Sequence, residues 1–175
     1  MNSMEFLELA KKRCSTRRYT DRKVEPEKLE RILEAARIAP TGKNAQAFKL
    51  LVLQSEESLT KLKNAANFYD APLAVLICAD VENTWHRSFD GKVISDIDAS
   101  IVSTHMVLEA TAQGLASLWI CRFKPDVVRE AFSIPEGFEP VNLTVFGYPD
   151  EPLKSAERHE TDRKPVSELV VNESF

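Results

Sequence analysis

The longest uninterrupted apolar run in the chain is Leu73 to Ala79, LAVLICA. Seven residues fall far short of the roughly 20 that a bilayer crossing takes, so the run is no membrane span. It reads instead as a buried β-strand, and the compact run Phe48 to Leu53 reads the same way. Leu118 to Cys121 and Val141 to Phe146 are further strand candidates. Helical patterns lie between them. Ser3 can cap a first helix that runs through Phe6, Leu7 and Ala10 to about Lys12. Pro26 suits the first turn of a second helix, whose Leu29, Ile32, Leu33 and Ala36 fall at i, i+3, i+4 and i+7 and which stops near Pro40. Glu56 to Ala66 and Pro125 to Phe132 are shorter helices. The longest is predicted over about Asp96 to Gln113, opened by a capping box of Ser95 and Asp98 and ended by Gly114. Its Ile97, Ile101, Val102, Leu108 and Ala112 crowd more than one face, as in a central helix or one at a subunit interface. Alternating strands and helices give an α/β or α+β class, and the length favours one domain over residues 1–175.

Two segments escape this alternation. Trp85 to Val93 reads as irregular, with a turn at Asp90-Gly91. From Tyr148 onward the chain is polar and carries Pro149, Pro152 and Pro165, then ends in Leu169-Val170-Val171 and Phe175. A tail of about 25 residues is too long for an idle loop in a compact chain. Disorder would account for it, as would an extended arm over about residues 150–175 wrapped on a partner subunit. The apolar end favours the arm.

Composition removes several functions. Lys and Arg number 23 against 27 Asp and Glu, a net charge of −4 with no basic block, so generic nucleic-acid binding has no electrostatic footprint. Glu5, Glu8, Lys11 and Lys12 sit within a helical pattern, which is not that of a secretory leader. Cys14, Cys78 and Cys121 are odd in number and widely spaced, which suits a reducing cytoplasm and gives neither a disulfide framework nor a zinc site. His86, His105 and His159 are scattered, and no metal is expected. Thr41-Gly42-Lys43 fails as a P-loop, because position 37 is Arg and Asn44 stands where Ser or Thr must hold magnesium. No GxGxxG fingerprint and no GxSxG elbow occur. Asp96 and Asp98 point in different directions on a helix and are expected to be capping and surface residues.

What remains is Arg13, Ser15, Arg17 and Arg18, just after the first helix. Guanidiniums and a hydroxyl in one turn suit a phosphate or another dianion, because Arg offers planar, charge-assisted donors. A solvated basic helix end is the competing account. Arg163-Lys164, in the unusual tail, would complete an anion site if that tail folds back.

The segment Arg13-Cys14-Ser15-Thr16-Arg17-Arg18-Tyr19, followed by Val24, resembles the N-terminal signature of the FMN-dependent nitroreductase family, RRSxRxY/F and a valine. Leu33 to Phe48, LEAARIAPTGKNAQAF, is similar to that family's LEAAxxAPSxxNxQPW/F. Asp98-Ala99-Ser100 through Ala110 and Gly114-Leu115-Ala116-Ser117-Leu118-Trp119-Ile120 resemble its central helix and GLGSxWI strand. Phe146-Gly147-Tyr148-Pro149 and Arg163-Lys164-Pro165 resemble its closing elements. The likeness is collinear over essentially the whole chain.

The resemblance implies an α+β fold, a three-layer α/β/α sandwich with a mixed, mostly antiparallel sheet, in an intertwined homodimer with FMN at the subunit interface. It implies that Arg13 and Ser15, with Arg163 from the tail, hold the FMN phosphate, that Cys14 is a further cofactor-binding position, and that Arg17 lies near flavin N1 and O2. Pro40, Thr41, Asn44 and Gln46 would come from the other subunit, and Ile120 and Cys121 would approach N5. Thr161 replaces a basic residue of the family pattern, which shifts the expected phosphate contact towards Arg13 and Lys164. The implied reaction is hydride transfer from NAD(P)H through FMN to a nitroaromatic, quinone or similar small acceptor, in a ping-pong exchange. Other flavin chemistry, reductive dehalogenation or flavin breakdown, stays open, as does a flavin-binding or storage role. Cys14 is expected to fill a gap beside the cofactor rather than to act as a redox thiol. Trp119 is expected in the core and His105 at an interface. Trp85 and Phe89 are candidates for substrate contact, in competition with plain packing.

Overall fold

A computed structural model describes residues 5–175. Its elements in chain order are α1 (Phe6–Lys12), α2 (Pro26–Arg37), β1 (Phe48–Leu53), α3 (Glu56–Lys63), β2 (Leu73–Asp80), α4 (Ser95–Ala112), β3 (Ala116–Ile120), α5 (Pro125–Phe132), β4 (Phe138–Gly147), α6 (Arg158–Thr161) and α7 (Val166–Leu169). The strands form one sheet in the order β1-β2-β4-β3. Every ladder between these strands is antiparallel, where the family resemblance implies a mixed, mostly antiparallel sheet. The parallel component among the described residues is an isolated bridge, Ser15 with Ser117.

The continuous apolar character of β2 follows from its place in the middle. Successive side chains point to opposite faces. Ala74, Leu76 and Cys78 therefore pack with Leu62 of α3 and Val128 of α5. Leu73, Val75 and Ile77 pack with Ile32 and Ala36 of α2 and Val102 and Met106 of α4. The result is three layers, α2 and α4 over the sheet over α3 and α5. Among the described residues no helix is long and apolar enough to cross a membrane.

Helix ends test the local reading. Gly114 stops α4 as expected: its φ is +75°, its N–H donates to Thr111 O at 3.0 Å, and Leu115 N–H donates to Ala110 O at 2.9 Å, the paired bonds of a Schellman stop. The capping box does not form. Ile94 is the N-cap residue, Ser95 is already helical and buried, and no side chain caps this end. Asp98 is not a surface residue but is buried, and its Oδ1 accepts the Gly42 N–H at 2.9 Å. Tertiary structure has claimed the carboxylate that the local pattern would spend on the cap. Elsewhere α3 stops at Lys63 rather than Ala66, while β3 and β4 begin earlier than their apolar runs. The expected Ser3 cap lies outside the described residues.

The segment before α4 is more ordered than its composition suggests. His86 bridges Val93, Arg87 N–H donates to Lys92 O at 3.0 Å, and the Arg87–Asp90 ion pair closes the turn. The tail carries α6 and α7, of four residues each. Its apolar Val166, Leu169, Val170, Val171 and Phe175 are all exposed on this chain, Val166 by 73%.

Candidate functional site

The basic segment after α1 runs as extended backbone beside β3. Thr16 N–H donates to Ser117 O at 3.1 Å, Thr20 N–H to Tyr148 O at 2.9 Å and Asp150 N–H to Arg18 O at 3.1 Å. Gly147 makes the close approach possible, since a Cβ there would meet Pro72 at 2.7 Å and Tyr19 at 3.0 Å. Extended chain alternates its side chains. Cys14 and Thr16 are buried, with Cys14 Sγ 3.9 Å from Thr16 Oγ1, while Ser15 and Arg17 are exposed and Arg13 is half-buried. Cys14 thus lies buried under the segment, and the groups at 13, 15 and 17 face outward.

They face a cavity of about 190 Å³ lined by Arg13, Cys14, Ser15 and Arg17 together with Lys154, Arg158, His159, Asp162 and Arg163. The tail does fold back: Arg158 Nη2 donates to Arg13 O at 2.7 Å, and the His159 ring meets Lys11 O at 3.2 Å. Five cations therefore gather against one carboxylate. None of the five has an ion-pair partner among the described residues. Burial, and then the like charges of Arg158 and Arg163, push the Arg13 guanidinium below its ordinary pKa, with Cys14 opposing. A half-buried cation among other cations is costly unless an anion joins it. This arrangement fits a phosphate dianion.

Arg17 also lines a second, larger cavity of about 790 Å³. Its walls include Tyr69, Trp119, Ile120, Cys121 and Phe123. Arg17 lies 5.9 Å from the Tyr69 ring centroid. Trp119 is half-buried and donates its Nε1–H to Asn142 Oδ1 at 2.9 Å, so it is a cavity wall held by a buried amide rather than plain core. Such a cleft, with aromatic walls interspersed with cationic and amide side chains, has the size of a cofactor or substrate pocket.

Other expected residues lie elsewhere. Lys164 does not line the phosphate-sized cavity and sits 4.0 Å from Glu168 instead. Pro40, Thr41, Asn44 and Gln46 line neither cavity of their own chain. Their loop is nevertheless tightly held: Gln46 N–H donates to Thr41 Oγ1 at 3.0 Å, Gln46 Nε2 to Asn44 O at 3.2 Å, and Gly42 N–H to Asp98. Lys43, Asn44 and Gln46 all have φ near +50°, a conformation that costs about 1 kcal/mol or more each for non-glycine residues. Trp85 packs against the same loop, with its Cβ 3.3 Å from where a Gly42 Cβ would stand. Phe89 is 95% exposed at the tip of the turn before α4. His105 Nδ1–H donates to Ile101 O at 2.8 Å along an apolar groove on α4 that also includes Ile97.

Sequence reasoning missed Lys154, Arg158 and His159 in the basic cavity and Tyr69 and Phe123 in the larger one. The density of basic residues through the tail was the available signal for the first group. No local pattern marks the second.

Comparison with known proteins identifies the fold and the family. A crystal structure of a nitroreductase family protein from Clostridium difficile 630 superposes with a TM-score of 0.96 at 55% identity, covering 98% of this chain and 100% of that one. An FMN-dependent nitroreductase from Clostridium difficile R20291 superposes at 0.80 with 30% identity, over 95% and 98% of the two chains. A relative from Methanothermobacter thermautotrophicus, under the provisional name NADH dehydrogenase/NAD(P)H nitroreductase, is 29% identical over 93% of this chain and 87% of its own. The model of the nitroreductase family itself matches residues 10–67 and 59–148, which take in the basic segment, the pinned loop, the central sheet and α4. This chain belongs to the nitroreductase family.

Proposed function

We propose that the protein is an FMN-dependent oxidoreductase that passes hydride from NAD(P)H to a nitroaromatic, quinone or similar small acceptor, acting as a homodimer of single-domain subunits. The observation that carries this reading is the cluster of five cations without ion-pair partners, joined through Arg17 to a cavity with aromatic walls. Its residues fit FMN. A phosphate dianion among Arg13, Ser15, Arg158 and Arg163 would relieve the like-charge crowding that lowers the Arg13 pKa. When bound, FMN supplies the hydride-accepting and hydride-donating centre, for which the chain has no substitute of its own.

The side chains then bind, orient and polarise. Arg13, Ser15, Arg158 and Arg163 anchor the phosphate end. Arg17 holds a fixed positive charge where the two cavities meet, suited to stabilise negative charge that develops during reduction. Ile120, Cys121 and Trp119 form a wall whose position is set by β3 and by the Trp119–Asn142 hydrogen bond. Pro40, Thr41, Asn44 and Gln46 complete the site of the second subunit, which accounts for a strained, pinned loop that serves no cavity in its own chain. The groove beside His105, about 490 Å³, and the exposed apolar tail are the surfaces that the second subunit covers. Reductant and acceptor use the larger cavity in turn, which is a ping-pong exchange.

An anaerobic visible spectrum of the purified protein tests this. Flavin bands are expected that bleach with NAD(P)H and return with nitrobenzene or a quinone, with parallel double-reciprocal plots in steady state. A protein that stays colourless when offered FMN would overturn the reading, and converging plots would overturn the ping-pong order.

A further inference from the structure

The larger cavity carries more positive charge than the cofactor uses. Arg17, Lys63, Arg122 and Lys124 line it, with no Asp or Glu among the lining residues. Lys63 is neutralised by Asp70 at 2.7 Å, and Arg17 has its role at the junction of the cavities. Arg122 and Lys124 have no ion-pair partner among the described residues. The phosphate of FMN is matched by a separate set of cations around Arg13, and an oxidised flavin ring is neutral. Neither group of the cofactor therefore answers Arg122 and Lys124.

These two side chains spring from fixed backbone. Phe123, between them, bridges Ala66, and Lys124 N–H donates to Ala65 O at 2.9 Å. Lys124 is also the N-cap residue of α5. Phe123 itself lines the cavity with Tyr69 and Trp119. One short stretch thus offers an aromatic face flanked by two cations, the complement of a flat ring that bears an anionic substituent. Resting on the FMN reading above, we infer that Arg122 and Lys124 are specificity residues that select anionic substrates. The anionic group is either a carboxylate or sulfonate on the acceptor ring or the phosphates of the reductant.

The test compares wild type with the double variant Arg122→Gln/Lys124→Gln. Equilibrium binding of 4-nitrobenzoate and of uncharged nitrobenzene is read by quenching of tryptophan fluorescence, since Trp119 lines the cavity. The variant should bind 4-nitrobenzoate about fivefold more weakly and nitrobenzene within about twofold of wild type, with the difference vanishing at about 0.5 M salt. If 4-nitrobenzoate is unaffected but anaerobic reduction by sub-saturating NAD(P)H slows by about fivefold, the anion is the reductant's. An unchanged ratio between the two ligands together with unchanged reduction by NAD(P)H overturns the inference. The quenching comparison needs no turnover, so failure of NAD(P)H to bleach the wild type would refute the FMN reading and still leave the selectivity decided.

Discussion

Arg13 should affect the cofactor-bound and cofactor-free states in opposite senses. Its guanidinium is half-buried, lies among Arg158 and Arg163, and has no carboxylate partner among the described residues. In the flavin-free protein that charge is a liability, because burial and neighbouring cations both disfavour it. With a phosphate present it becomes a charge-assisted donor, and such hydrogen bonds contribute about 1.5–3 kcal/mol. Arg13→Gln should therefore weaken FMN binding by about 10- to 150-fold. The melting temperature of the flavin-free protein should not fall. The Arg158 bond is unaffected by the substitution, since it is made to the backbone carbonyl of residue 13. Titration of flavin-free protein with FMN at low salt, followed by flavin fluorescence, gives the first quantity, and scanning calorimetry gives the second. An FMN affinity within twofold of wild type, or a flavin-free protein that melts several degrees lower, would mean that Arg13 packs rather than binds.

Three further outcomes are expected. Glu25 is held down at about 2, chiefly by the Tyr148 hydroxyl, which donates to Oε2 at 2.7 Å, then by its own backbone and by Arg22. Its folded pKa lies below the ordinary carboxylate value, so its stabilisation is full above about pH 4.5 and is lost as pH falls towards 2. Tyr148→Phe should move the acid-unfolding midpoint, followed by circular dichroism, to higher pH. Asp98→Ala leaves the Gly42 N–H without its partner and should cost about 1–3 kcal/mol in urea unfolding. Asp98→Asn, which keeps an acceptor and removes a buried charge, should cost less, and equal losses would argue against the pinning role. A chain ending at Glu157 lacks Arg158, Arg163 and the exposed apolar tail. Light scattering should find it monomeric where the full chain is dimeric, with little flavin retained, and a flavin-loaded dimer would refute the assignment of the tail.

The sequence disclosed those features whose cause is local. The buried strands are legible because an apolar run in the middle of a sheet must satisfy two helical layers, and Gly114 is legible because a left-handed stop favours glycine. Arg13, Ser15 and Arg17 are legible as a cluster because they fall at alternate positions within five consecutive residues. The capping box at Ser95 and Asp98 misled because Gly42, 56 residues away, competes for the same carboxylate. Arg158 was hidden for the same reason, since it reaches the site through a carbonyl 145 residues distant. Lys164 and Arg163 are neighbours in sequence, and only the path of the tail decides which of them faces the anion cavity.

The stretch from Arg13 to Tyr19 has a second consequence. The strand order leaves β1 and β3 at the two margins of the sheet, where unpaired backbone groups invite another chain to add on. On the β1 side an exposed Lys49 interrupts the strand and makes such addition unfavourable. On the β3 side no such charge is present within ASLWI, and the arginine-bearing stretch itself occupies the margin through Thr16 and Ser117. Anion binding and protection against aggregation thus share one strip of backbone. A side-chain change on its outward face should yield a soluble protein poor in flavin. A change that lifts the backbone, such as Thr16→Pro, should bare β3 and send the chain into aggregates before its flavin content can be measured.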